Sequence, residues 1–393
     1  MADIIDVTTV AAGREVHAGR IYRTRTSGAF EYDTAYLRDR TAFALTPALG
    51  LYPGPQALAP HNPFSDSAPD TWGRKVQTRA AGRQLDELTL LLGVNDEGRQ
   101  GATRFWIDGV AVADGDGVPD VADLAELLRV ADQVDRGDSR IDNTALRRLY
   151  RATGSLGGAR PKANVRVGRE MWLAKFPKPI GDHWNKMAWE AAMLDTMAEA
   201  GIEVPEHRTT RVTLNGTART VLLLRRFDRA DERRVPYISG MTALESQDGE
   251  GGDWVDLVDF CRLSGGDPTE LWRRATFGAA VGNLDDHLRN HGFLRRNAAW
   301  VPSPAFDVNP EPLAQGHQHE LMLFGNADLT VDSFFTADAL DLFGVSIAVA
   351  SQYRTSLATA LSAATRAAEL HGADGHSLSI MRSRIDNAVM QLA

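Results

Sequence analysis

The chain has 393 residues, 43% hydrophobic and 24% charged, an ordinary composition for a folded water-soluble protein with an ample core and roughly two to three domains. Its net charge of −9 argues against a stand-alone duplex-DNA binder, because such affinity comes largely from Lys and Arg neutralising phosphates. A single cysteine, Cys261, excludes an internal disulfide. With no basic signal region at the start and no apolar run near the roughly 18 residues of a membrane span, it predicts a cytoplasmic protein with no membrane attachment.

Short strands are predicted over 16–22, 29–32 and 103–107, with helices over 71–81 and 85–92 and a Pro-rich loop over 52–63. A turn-rich connector, 113–120, leads into a helix over 121–134 whose Leu124, Leu127, Leu128 and Ala131 form an apolar stripe. A helix over 143–151 precedes two strands, 163–167 and 171–176, joined at Gly168-Arg169. A helix follows over 184–200, with Met187, Ala191, Leu194 and Ala198 marking its buried face, and then an apolar strand over 220–227. The remainder reads as mainly helical, with helices over 254–263, 340–353 and 356–370. The parts divide as 1–110, a linker helix over 111–139, a β-rich nucleotide lobe over 140–238 and a helical lobe over 239–393.

The chemistry concentrates in Gly282-Asn283-Leu284-Asp285-Asp286-His287-Leu288-Arg289-Asn290. Asp285 and Asn290 have the Asp-x-x-x-x-Asn spacing of a kinase catalytic loop, where the Asp accepts the proton of an attacking hydroxyl and the Asn binds Mg²⁺. Asp307 follows Asn290 by 17 residues, room for a short hairpin, and offers a second carboxylate to the metal. The plain alternative is a loop whose Asp and Asn side chains bond nearby backbone. Upstream, Gly154-Ser155-Leu156-Gly157-Gly158-Ala159-Arg160-Pro161-Lys162 reads either as a flexible turn or as a nest that lets backbone N–H groups approach a triphosphate. Lys175 ends the second strand of the hairpin, either as a phosphate-contacting lysine or as an exposed strand lysine. Glu190 lies on or beside the apolar face of the next helix. A carboxylate there is costly unless paired, and Lys175 is the natural partner; the alternative is an edge residue reaching water. The strand ending in Arg226, Phe227 and Asp228 suits either a hinge binding the adenine edge or an ordinary central strand.

Gly-Ser-Leu-Gly-Gly-Ala-Arg-Pro-Lys-Ala (154–163), Leu-Ala-Lys-Phe-Pro (173–177), Arg-Arg-Phe-Asp-Arg (225–229), Asp-x-His-x-x-Asn (285–290) and Phe-Asp-Val (306–308) together resemble the HipA family of serine/threonine kinases, the toxin halves of bacterial toxin–antitoxin pairs. Phe64 to Gly73 is similar to that family's Phe-x-Asp-x-x-Pro-Asp-x-Trp-Gly segment, and Gly98 to Ala102 to its Gly-Ala turn. The resemblance implies an α+β, protein-kinase-like bilobal fold: a β-rich N-terminal region with the nucleotide lobe, and an all-helical C-terminal lobe. It also implies ATP and Mg²⁺ as cofactors.

By residue, it implies Asp285 as catalytic base, with His287 supporting the catalytic loop or nucleotide pocket. Lys175 would contact ATP phosphates and Glu190 would hold it by an ion pair. Asn290 and Asp307 would bind Mg²⁺. Gly154, Ser155, Gly157, Gly158 and Lys162 would line the phosphates, and Arg226, Phe227 and Asp228 the adenine and ribose. Ser155 matches a position of autophosphorylation, which would silence the enzyme by placing negative charge where phosphates belong. The implied partners are a helix-turn-helix, HipB-like antitoxin, operator DNA reached mainly through it, and a protein substrate of the aminoacyl-tRNA synthetase class. Asp286 departs from the family's small residue, so either aspartate of the pair is open as the base, with spacing favouring Asp285. Arg160-Pro161 is a second departure. A small-molecule phosphotransferase and a catalytically silent antitoxin-binding co-regulator are the competing functions.

Overall fold

Alternation in Ile4–Ala11 (β1) buries Ile5, Val7, Thr9 and Ala11 on one face, the period-2 signature of a half-buried strand. It pairs antiparallel with Arg14–Arg23 (β2), Ile5 facing Ile21 and Val7 facing Gly19, with a bulge after Val7. A side chain at Gly19 would strike the Glu31 carbonyl at 2.2 Å, so only glycine lets the third strand, Gly28–Tyr32 (β3), approach. The computed structural model describes residues 4–23, 28–58, 63–115, 117–155, 158–230, 233–313 and 318–393.

The chain forms two compact units, one of residues 1–174 with 226–247, the other of 175–225 with 248–393. In the first, Thr34–Arg38 (α1), Gln56–Ala57 (β4), Thr71–Ala81 (α2), Glu87–Gly93 (α3), Arg104–Ile107 (β5) and Val110–Ala111 (β6) follow β3. Their strands complete a sheet of order β4-β3-β2-β1-β5-β6. Phe30, Phe64 and Phe105 stack edge to face at 5.7 and 5.5 Å in its core. Leu124–Asp135 (α4) and Asn143–Ala152 (α5) come next, and Lys162–Val167 (β7) with Glu170–Lys175 (β8) make a hairpin around Gly168.

The second unit begins with Lys186–Glu199 (α6), His207–Leu214 (β9) and Thr217–Arg225 (β10). β9 and β10 pair antiparallel around Asn215-Gly216, both at positive φ (51° and 77°), the residue pair that a tight hairpin turn favours. After short elements in the first unit (Arg229–Ala230, β11; Arg233–Arg234, β12; Tyr237–Ser239, β13; Gly240–Ala243, α7), the chain re-enters the second unit. There it adds Gly252–Asp253 (β14), Trp254–Leu263 (α8), Thr269–Val281 (α9), Gly292–Arg296 (β15), Ala299–Pro302 (β16), Gln318–Leu323 (β17), Asn326–Asp328 (β18), Ala337–Phe343 (α10), Ile347–Leu370 (α11) and Gly375–Leu392 (α12).

The fold is α+β, but the expected all-helical C-terminal lobe is corrected. Residues 239–393 also carry the β15–β16 hairpin and a β14-β17-β18 sheet. The β15–β16 turn uses Asn297 and Ala298, both at positive φ, and Asn-Ala announces a hairpin far less clearly than Asn-Gly. The helices expected over 340–353 and 356–370 are instead α10, stopped by Gly344 in a left-handed cap (φ 68°), and one continuous helix, α11. α6 is buried on nearly every side rather than along one stripe, which puts Glu190 wholly inside.

Candidate active site

In the second unit, α9 ends at Gly282, whose left-handed φ of 65° turns the chain into the 283–290 loop. A Cβ there would lie 2.6 Å from the buried guanidinium of Arg384, so the turn and α12 fit only with glycine between them. Arg384 in turn donates from Nε to the Glu311 carbonyl at 2.8 Å. Asn283 fastens the loop on its other side: its Oδ1 accepts from the Asn309 amide at 3.0 Å, and its carbonyl accepts from His319 Nδ1 at 3.1 Å. The aspartate-bearing loop and the segment after Asp307 are thus held together by main-chain and amide bonds.

Lys175 Nζ sits between two carboxylates, 2.6 Å from Glu190 Oε1 and 2.8 Å from Asp307 Oδ1. Burial by itself would lower the lysine's pKa; Asp307 and Glu190 outweigh it and raise the pKa, so the ammonium stays charged. Asp307 adopts φ 59°, a left-handed backbone unusual for a residue with a side chain, and such outliers persist where the surroundings enforce them. Asn309 Nδ2 donates to Asp307 Oδ1 at 3.1 Å, while its own buried Oδ1 has no hydrogen-bond partner among the described residues.

Of the two adjacent aspartates, Asp286 is buried and bonded to His291 Nε2 at 2.9 Å, whereas Asp285 keeps solvent access. The Asp285 carboxyl is nonetheless shifted up, first by partial desolvation, then by the carboxylates of Asp307, Glu320 and Asp286 against the opposing effect of His287. His287 is half-buried and its Nδ1 has no hydrogen-bond partner among the described residues. Asn290 is buried and donates through Nδ2 to the Asp285 carbonyl at 3.0 Å, which turns its Oδ1 the other way.

The first unit holds the glycine-rich segment and the 226–228 residues. Ser155 is buried and its Oγ accepts from the Gln100 amide at 2.8 Å. Gly154 is pressed against Asn164 and Gly98: a Cβ would meet Asn164 Nδ2 at 2.5 Å. The Gly158 carbonyl accepts from the Trp72 amide at 3.5 Å, and the Lys162 carbonyl from Trp72 Nε1 at 3.0 Å. Lys162 Nζ forms a buried pair with Asp70, the N-cap of α2, at 2.8 Å. Arg226 reaches the Gly98 carbonyl and Asn164 Oδ1 at 2.7 and 2.8 Å. Asp228 accepts from Arg226, from Arg229 and from the Gly101 amide, and these partners hold its carboxyl well below the ordinary range despite burial. Phe227 stands 6.1 Å from the Tyr237 ring. Segments 64–73, 98–102, 158–164 and 226–229, with Gly154 and Ser155, therefore interlock in one place. Gly157 lies outside the described residues.

Asn283, Asn309, His291 and Asn164 were not singled out from the sequence. Their work is done by single amides or rings, and only Asn283, beside Asp285, sat within a suspicious stretch. Among the predicted residues, Lys175, Glu190 and Asp307 meet directly, as do Arg226 and Asp228.

The model of the HipA-like C-terminal domain matches residues 154–370, more than half of the chain, and the chain belongs to this HipA family. Among solved structures it is similar to HipA of Shewanella oneidensis MR-1, determined with HipB and its operator DNA. That similarity has 15% identity and a TM-score of 0.67, and covers 99% of this chain and 96% of the other. The proinflammatory kinase CtkA of Helicobacter pylori matches at 15% identity and a TM-score of 0.44, covering 60% of this chain and 92% of that one. None of the curated proteins matches the sequence.

Proposed function

We propose that the chain is an ATP- and Mg²⁺-dependent protein serine/threonine kinase, the toxin of a toxin–antitoxin pair. The observation that carries this reading is the charge relay within the second unit: a buried lysine bonded at once to Glu190 on α6 and to Asp307, the latter on a strained backbone. A lysine held by a helix glutamate is the arrangement that positions a phosphate-contacting lysine in kinases. Asp285, exposed and with its pKa raised, accepts the proton of the substrate hydroxyl as that oxygen bonds the γ-phosphorus and the bond to ADP breaks. Asp307 and Asn290 supply hard oxygen donors, and the unpartnered Asn309 Oδ1 beside Asp307 fits the same purpose. Mg²⁺ held there would neutralise charge on the phosphates. His287 supports the loop beside Asp285 from a half-buried position.

Arg226 and Asp228 are engaged with each other, so Phe227 and main-chain groups of this segment serve the adenine. Gly154, Gly158 and Lys162 shape the phosphate-lining segment. Autophosphorylation at Ser155 belongs to the same reading. Its hydroxyl is tied to the Gln100 amide, so the segment must leave its place before transfer and cannot return with a phosphate attached. The physiological target is a protein of the aminoacyl-tRNA synthetase class. A HipB-like antitoxin is the partner through which operator DNA is reached, as in the Shewanella complex of HipA, HipB and operator DNA.

Transfer of ³²P from γ-labelled ATP with Mg²⁺ in a lysate, comparing wild type with Asp285→Asn, tests the proposal. A labelled substrate band and a self-labelled band, with phosphate on Ser155 by mass spectrometry, are expected in the wild type alone. Bound ATP without transfer to any protein would refute the protein-kinase reading.

A further inference from the structure

Away from the residues assigned to phosphate transfer, the second unit brings together Asp195 from α6, His207 at the start of β9 and His371 just after α11. Their ligand atoms lie within 4.8 Å of one another, the one such group of His, Cys, Asp or Glu among the described residues. His207 Nε2 is 2.9 Å from Asp195 Oδ1, and His371 Nε2 is 2.8 Å from Asp195 Oδ2.

The outer sides of both rings are anchored. His207 Nδ1 is 2.9 Å from the Pro205 carbonyl, which can only accept, so the hydrogen sits on Nδ1. In the neutral ring Nε2 then carries a lone pair, and that lone pair faces a carboxylate oxygen. Two acceptors at this distance need either a proton on Nε2, making an imidazolium, or a metal cation bound by both. His371 Nδ1 lies 3.1 Å from the Thr209 hydroxyl, which can donate or accept, and its Nε2 faces the same carboxylate. Imidazoles that bind metal through one nitrogen characteristically hold the other to a carbonyl, carboxylate or water, which fixes tautomer and ring direction.

We propose that Asp195, His207 and His371 form a binding site for a divalent transition-metal ion of the zinc class, which ties the end of α11 to β9 and α6. Two imidazole nitrogens and one carboxylate suit zinc and its neighbours, while Mg²⁺ and Ca²⁺ prefer oxygen alone. Zinc sits about 2.0–2.2 Å from such donors, so all three reach it after side-chain shifts of about an ångström. The Asp195 side chain is 43% exposed, which leaves the fourth position open to water. The site is distinct from Asn290 and Asp307, and the proposal does not depend on kinase activity.

The 393-residue chain, stripped with a chelator, is titrated with ZnCl₂ against a chromophoric competitor, and separately with Co²⁺ while visible absorption is followed. One equivalent of zinc is expected, not displaced by excess Mg²⁺, with the intense bands of tetrahedral Co²⁺ and a raised melting temperature. Loss of even an outer partner of a metal site weakens binding about 10–100-fold. We therefore expect Thr209→Val to weaken binding about tenfold and His207→Gln or His371→Gln to weaken it further. Absence of uptake would overturn the proposal in favour of an imidazolium–carboxylate cluster, as would unchanged affinity in both histidine variants. If those variants do not fold, the wild-type Co²⁺ spectrum decides alone, and octahedral, weakly absorbing Co²⁺ would overturn the site.

Discussion

Lys175→Met is the perturbation that isolates the charge relay. Methionine keeps the length of the side chain but removes the ammonium from between Glu190 and Asp307. Asp307 retains 21% side-chain exposure and can be partly solvated, whereas Glu190 has none, so the larger desolvation cost falls on Glu190. Breaking a buried pair by deleting one partner costs about 3–5 kcal/mol. Glu190 can limit this by taking up a proton, and we expect a loss of about 3 kcal/mol near neutral pH, a fall in Tm of roughly 6–12 °C for a unit of this size. Glu190→Gln keeps the shape and leaves Lys175 paired with Asp307, so its cost is smaller, about 1–2 kcal/mol. The double variant buries no carboxylate charge at position 190 and recovers about 2 kcal/mol relative to the sum of the single changes.

The pH dependence of Lys175→Met follows from the same geometry. Without the lysine, the folded-state pKa of Glu190 rises above its unfolded value of about 4.3. Folded protein then binds more protons than unfolded protein between those two values, and stability falls as pH rises through that window. The deficit of the variant should therefore shrink on acidification toward about pH 5. Circular dichroism melts of the three variants at several pH values test this. Additive losses in the double variant, with a deficit independent of pH, would refute the argument.

Three further outcomes follow from individual contacts. If Asp285 is the base, phosphate transfer falls as pH drops through its raised pKa, and Glu320→Gln, which removes one carboxylate raising it, moves that acid limb to lower pH; an unmoved limb in the rate profile would assign it to another group. Gly154→Ala forces a methyl within 2.5 Å of Asn164 Nδ2 and 2.9 Å of the Gly98 carbonyl, and should destabilise by about 1–3 kcal/mol in denaturant titration. Burial pushes the Cys261 thiol up to about 12, so a chromogenic thiol reagent should label it only after denaturant is added; fast labelling of native protein would contradict the packing of α8.

Local chemistry was readable wherever the deciding force acts within a few residues. The Asp70-Thr71 helix start, α8 at 254–263 and the strands around Gly168 all rest on caps, turns and short periodicity, and each stands close to its expected place. The cost of burying a carboxylate also made Lys175 the natural partner of Glu190, and the two are in contact.

The remaining features were set by distant parts of the chain. Whether Glu190 reached water or lay inside depended on how many neighbours cover α6, and periodicity on one helix does not contain that number. Even the nearer choice, which of Asp285 and Asp286 stays in water, turned on the direction of the His291 ring, bonded to Asp286 only five residues away, and ring direction leaves no mark in the spacing. The interlocking of segments 64–73, 98–102, 158–164 and 226–229 with Gly154 and Ser155, the bond of Lys175 to Asp307, and the meeting of Asp195 with His207 and His371 join residues far apart in sequence. Such contacts arise only when packing sets the distances, because a hydrogen bond or ion pair depends on position in space to within an ångström and leaves no period in the sequence.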